Sequence, residues 1–192
     1  MQYKKDNVRR RIIEVGKEEY LENGFRGGNI KTIAEKAGVP VGNLYRYFDG
    51  KSGLLDAIVS PVYNEIPSII DKLAHLFISQ NLTFGEFVPV LADSTLQILD
   101  MYKAELLILV YRCEKTKYGD FIDKIVVIIS SLIMNYMHGE PTADQKEFVA
   151  IISKSFITTL FDLIRDGYER ERLKELINKL IEFTFFNIND RI

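Results

Sequence analysis

Apolar residues recur at helical spacing through almost the whole chain, and the five prolines and most of the glycines fall between the periodic segments. No run shows strand alternation, so the pattern predicts an all-helical protein. Val8, Ile12, Val15, Gly16 and Tyr20 line one face of a first helix, which Asn23-Gly24 ends with C-cap chemistry. Asn29 is placed to cap a short second helix that turns Ile33, Ala34 and Ala37 inward and closes at Gly38. A third short helix is expected over about 40–47, with Pro40 suiting its first position, before Asp49-Gly50 breaks it and a fourth begins near Lys51. Three helices with a tight glycine-containing turn between the second and third make a helix-turn-helix.

Longer helices are predicted beyond it, over 54–80 with bends at Pro61 and Pro67, then over 84–100, 103–117, 121–138, 143–165 and 170–187. Asn81-Leu82-Thr83, Tyr118-Gly119-Asp120, Gly139-Glu140-Pro141 and Asp166-Gly167 mark the joints. There is no repeat, low-complexity segment or long linker, so the helix-turn-helix part, residues 1–52, and the helical body, residues 53–192, are expected to share the fourth helix as a lever.

Composition narrows the function. A chain of 192 residues, 47% hydrophobic and 27% charged with net charge -2, can bury a real core and is not disordered. Its charge is uneven: residues 1–60 hold 11 Lys and Arg against 8 Asp and Glu, and the remainder 14 against 19, so an anion-binding end would be the N-terminal one. Cys113 stands alone, which excludes an intramolecular disulfide or a cysteine-rich zinc site and fits a cytoplasmic protein with a buried thiol. Arg9, Arg10 and Arg11 run into an amphipathic pattern instead of a signal core, and the apolar stretch 125–134 is about half a membrane span. No phosphate loop, nucleophile elbow or paired histidine motif is present, so no catalytic residue, metal or cofactor is expected.

The stretch Ile33-Ala34-Glu35-Lys36-Ala37-Gly38-Val39, joined to Gly42-Asn43-Leu44-Tyr45-Arg46-Tyr47-Phe48 and then Lys51, resembles the signature of the TetR family of bacterial transcriptional regulators. With Ile12 to Gly16, Tyr20, Gly24-Phe25 and Leu54-Leu55, the resemblance covers roughly residues 8–58. It implies a homodimer on double-stranded operator DNA, a repressor released by a small molecule. Tyr45, Tyr47 and Lys51 would meet backbone phosphate, Lys51 at a helix N-terminus where charge and dipole act together. Val41, Gly42 and Asn43 would read bases, Asn43 by pairing with adenine and Val41 by touching a thymine methyl, with Lys31 at the groove edge. Tyr45 as an aromatic seal, and Lys31 and Asn43 as solvated side chains, are the plainer alternatives. The chain departs from the family pattern where Gly28-Asn29 replaces a Thr/Ser pair, Pro40 replaces a common Ser, and Glu19 stands at a usually apolar position.

Beyond residue 60 the reading is architectural. Leu173, Ile177, Leu180 and Thr184 form a stripe on the last helix, and Phe156 and Leu160 one on the helix before it; in the family such helices pair with their symmetry mates. An apolar or aromatic effector is expected among Tyr102, Tyr111, Met134 and Met137, with Glu105, Arg112, Asn135 and His138 as polar anchors, although each of these also reads as ordinary core or surface. The rival function is a helical interaction or ligand-binding module that has lost DNA binding.

Overall fold

The computed structural model describes residues 2–137 and 140–188, all-helical with no strand among them. The elements are α1 (Gln2–Gly27), α2 (Ile30–Lys36), α3 (Val41–Leu44), α4 (Gly50–Ser79), α5 (Phe84–Tyr111), α6 (Phe121–Tyr136), α7 (Ala143–Arg165) and α8 (Arg170–Phe185). Two compact units divide the chain, Met1–Glu65 with Tyr102–Gly119, and Ile66–Met101 with Asp120–Ile192. The compact division thus falls inside α4 and α5, whereas residue 52 remains our proposed limit of the DNA-contacting part.

In the first unit α1, α2 and α3 enclose Ile12, Tyr20, Ile33, Ala34 and Leu44, all at or near complete burial. Gly16 lets α4 approach α1, since a Cβ there would meet Leu54 and Ile58 side-chain atoms at 3.1 Å. Gly24 takes φ 67° and ψ 170°, a positive-φ kink inside the last part of α1 that residues with a Cβ resist. Tyr102–Gly119 packs into the same unit, burying Leu106, Ile108, Leu109, Cys113 and Tyr118. The Phe25 N–H donates to the Arg112 carbonyl at 3.1 Å, and the Tyr118 hydroxyl donates to Asp56 at 3.0 Å.

The second unit packs α6 on α7 and α7 on α8. Phe121, Ile125, Val149, Phe161, Ile164, Ile177 and Ile181 fill its core. α7 begins with a capping box, in which the Thr142 hydroxyl accepts the Gln145 N–H and the Gln145 side chain accepts the Thr142 N–H.

α4 is one continuous helix through Pro61 and Pro67. One expectation changes. The segment expected to stay helical to residue 117 ends at Tyr111, because Cys113 to Tyr118 form turns in which the Thr116 hydroxyl donates to the Cys113 carbonyl and accepts the Tyr118 N–H. The break expected between residues 100 and 103 is present, as Tyr102 has φ −135° and ψ 17° inside α5.

Candidate nucleic-acid interface

The interface is built on the α2-turn-α3 segment. The Asn29 side chain accepts the Lys31 N–H at 2.9 Å and starts α2. Gly38, at φ 63°, ends it, and the Val39 N–H returns to the Ala34 carbonyl at 3.0 Å, fixing where α3 departs. Leu44 is fully buried and anchors α3 from beneath, which leaves Val41 and Asn43 partly exposed and Gly42 exposed. A Cβ built on Gly42 meets nothing within 4 Å, so this stretch presents bare backbone to solvent.

Around it stand the proposed phosphate ligands. Tyr45 is 59% exposed, a large aromatic that the unit does not cover. Tyr47 is partly buried beside Phe48, their rings 6.4 Å apart, and the guanidinium of the exposed Arg9 lies 5.4 Å from the Phe48 ring centroid. Lys31 is exposed. Lys51 is more constrained than the sequence implied. Its ammonium donates to the Arg26 carbonyl at 2.8 Å and sits 5.1 Å from the Phe25 ring, while its own carbonyl accepts from the Tyr20 hydroxyl at 3.0 Å. Burial lowers its pKa, with the Glu19 charge opposing that shift. Lys51 therefore ties the start of α4 to the end of α1, besides any role toward phosphate.

The expected effector residues are divided. Tyr102 and Tyr111 belong to the first unit and Met134 and Met137 to the second, and all four are partly exposed. The Tyr102 hydroxyl donates to Glu65 at 3.0 Å, and this hydrogen bond raises its pKa. Glu105 is engaged by Lys17 at 2.6 Å, so it is a structural carboxylate and not a spare anchor. Arg112 and Asn135 are exposed, and His138 lies outside the described residues. A cavity of about 340 Å³ in the second unit is lined by Phe84, Gly85, Val88, Glu182, Phe183 and Phe186, none of them among the expected residues.

The residues expected on the dimer stripe differ in how far the single chain covers them. Phe156, Leu173 and Ile177 are 7%, 8% and 1% exposed within a single chain, so they face their own core. Leu160, Leu180 and Thr184 are partly covered, the Thr184 hydroxyl donating to the Leu180 carbonyl at 2.7 Å. Large apolar side chains exposed on these helices include Phe148, Ile151 and Phe183.

Comparison with known proteins agrees with the geometry. Residues 12–58 match the family of bacterial regulatory proteins of the tetR type. Over 157 residues the chain is 26% identical to the transcriptional repressor KstR of Mycobacterium tuberculosis, covering 79% of this chain and 69% of that one. It is 34% identical to the regulator UidR of Escherichia coli over 59 residues, which cover 31% of this chain and 30% of that one. A TetR-family regulator from Mesorhizobium loti shares the fold with a TM-score of 0.57 and 15% identity, covering 93% of this chain and 95% of that one. FadR of Bacillus subtilis, crystallised with stearoyl-CoA, shares it with a TM-score of 0.54 and 16% identity over 89% of this chain and 96% of that one. Residues 12–58 thus carry the helix-turn-helix domain of the tetR family of bacterial regulatory proteins, within an all-helical chain that shares the fold of TetR-family regulators.

Proposed function

We propose that the chain is a non-catalytic repressor that binds double-stranded operator DNA as a homodimer and leaves it when an apolar or aromatic small molecule binds. One observation carries the DNA-binding part: α3 presents Gly42 with open space above it, flanked by partly exposed Val41 and Asn43 and by the exposed Tyr45. A bare backbone stretch can enter the major groove while Val41 and Asn43 meet base edges, Lys31 reaches the groove edge, and Tyr45, Tyr47 and Lys51 meet phosphate. The basic Arg9 to Arg11 turn of α1, exposed throughout, adds positive potential on the same unit. No helix of the described residues is long and apolar enough to cross a membrane.

An effector that favours one arrangement of the chain must weaken DNA binding by the factor with which DNA weakens its own binding. Tyr102, Tyr111, Met134 and Met137 remain our proposed ligand contacts, and the structure of FadR in complex with stearoyl-CoA supports testing an apolar acyl ligand. The test is a gel shift with the DNA flanking the protein's own gene against random duplex, followed by titration with acyl-CoA thioesters and aromatic acids. Preferential retention of the flanking DNA and its release by one ligand class supports the reading. Equal retention of both duplexes overturns it in favour of a helical module without operator recognition.

A further inference from the structure

Glu19 is 3% exposed, a carboxylate inside the DNA-binding unit at a position where the family pattern has an apolar residue. Its Oε1 accepts the Asn29 N–H at 3.1 Å, and its Oε2 lies 3.6 Å from the Lys36 ammonium. Asn29 is the N-cap of α2, extended at φ −122° and ψ 118°, and its own side chain accepts the Lys31 N–H. A helix start is often closed by two reciprocal bonds, the cap side chain to a backbone N–H of the first turn and a Glu or Gln of that turn back to the cap N–H. The residue of α2 that would supply the second bond is Thr32, which is neither. Glu19 supplies it from α1 instead.

The neighbouring departure belongs to the same arrangement. A Cβ on Gly28 would lie 2.8 Å from two Tyr20 ring carbons and 3.1 Å from the Gly24 carbonyl, so the chain passes against Tyr20 only because residue 28 has no side chain. Gly28 brings the Asn29 amide down to the buried face of α1, where Glu19 is the residue beside Tyr20. Glu19, Gly28 and Asn29 thus act as one device in place of the Thr/Ser pair.

We propose that Glu19 is a positioning residue for operator recognition, a buried carboxylate that completes the cap of α2 from a neighbouring helix and so sets where Lys31 and the α3 reading residues are presented. The proposal rests on the DNA-binding reading above. α2 is only seven residues long, so its direction is set by its ends, and α3 hangs from its far end through the Val39 to Ala34 bond. Loss of the Glu19 bond leaves a partly buried N–H without an acceptor, which the start of α2 relieves by moving.

The experiment compares the full-length wild type with Glu19→Gln and Glu19→Leu. Amide hydrogen exchange at Asn29, thermal stability, and binding to the flanking DNA and to random duplex at one salt concentration are measured for each. Glu19→Gln keeps an oxygen acceptor, so Asn29 stays protected and operator preference holds within about threefold, whereas Glu19→Leu exposes the amide and reduces preference about tenfold at a temperature where all three proteins are folded. Protection of Asn29 in Glu19→Leu, or unchanged operator preference despite a lower melting temperature, overturns the proposal. A wild type that does not prefer the flanking DNA overturns the DNA-binding reading itself, an outcome that the wild-type lanes show before any variant is scored.

Discussion

The Lys17 ammonium lies 2.6 Å from Oε1 of Glu105 and 3.1 Å from Oε1 of Glu14, joining α1 to the part of α5 that follows Tyr102. Glu105 is only 7% exposed, so removing this partner would leave a buried carboxylate unpaired. Burial pulls the Lys17 pKa down, but the hydrogen bonds and charges of Glu105 and Glu14 outweigh it and leave the value raised above 10.5. A raised lysine pKa contributes stability that is fully present below the unfolded value and fades as pH rises through the folded one. Glu105→Gln should therefore cost about 1–3 kcal/mol at neutral pH in urea denaturation. The gap between wild type and variant should narrow above pH 10.5. A constant gap across that range would remove the ion pair as its cause.

Gly42 separates fold from function. It has ordinary helical φ and open space where a Cβ would go, so Gly42→Ala should be neutral or stabilise α3 by up to about 1 kcal/mol in thermal unfolding. The added methyl instead occupies the surface that would enter the groove. Operator affinity should fall while the melting temperature holds or rises. Asn43→Ala should act differently, losing about 1–3 kcal/mol at one base pair and relaxing preference there. Unchanged operator binding by Gly42→Ala would place this stretch away from DNA.

Tyr45 and Lys51 should be distinguishable as phosphate ligands. Tyr45→Phe removes only a hydroxyl from an exposed ring, so stability should stay within about 0.5 kcal/mol while affinity for operator and random DNA drops by the same factor. Lys51→Ala should lower the salt slope of binding by about 0.9 if the ammonium meets phosphate. It should also destabilise the protein, because Lys51 holds the Arg26 carbonyl. An unchanged slope with reduced stability would assign Lys51 to the α1–α4 junction alone.

The DNA-binding module was legible because its punctuation is chemical. Asn29 caps, Gly38 takes positive φ, and Leu44 is apolar between polar neighbours, each a local requirement visible in residue type. Tyr102 broke α5 within the gap that periodicity left between two helices. The end of that helix at Tyr111 was hidden, since Lys115 adopts φ 62° without being glycine and the turn is held by Thr116. Glu105 read as a ligand anchor because its partner, Lys17, lies far away in sequence. Periodicity showed that α7 and α8 are apolar on more than one side, but an apolar face does not name what covers it.

That ambiguity sets the last prediction. Ile177 is 1% exposed in the single chain, so Ile177→Glu would bury an unpaired charge and unfold the second unit, at a cost of several kcal/mol. Phe148 and Ile151 on α7 and Phe183 on α8 are 46%, 58% and 79% exposed. The Phe156 and Phe185 rings meet with centroids 4.7 Å apart, which sets the last turns of α8 against the middle of α7. Covering these side chains in a homodimer would remove apolar surface from water at about 25 cal/mol per Å². Ile151→Glu and Phe183→Glu should then keep the wild-type helix content and melting behaviour of the isolated subunit yet sediment as monomers. Operator affinity should collapse with the dimer, since two recognition helices must reach half-sites about 34–36 Å apart. If both variants remain dimeric at wild-type concentration dependence, the exposed face of α7 and α8 is not the subunit contact; if Ile177→Glu stays folded but becomes monomeric, the buried stripe is the contact after all.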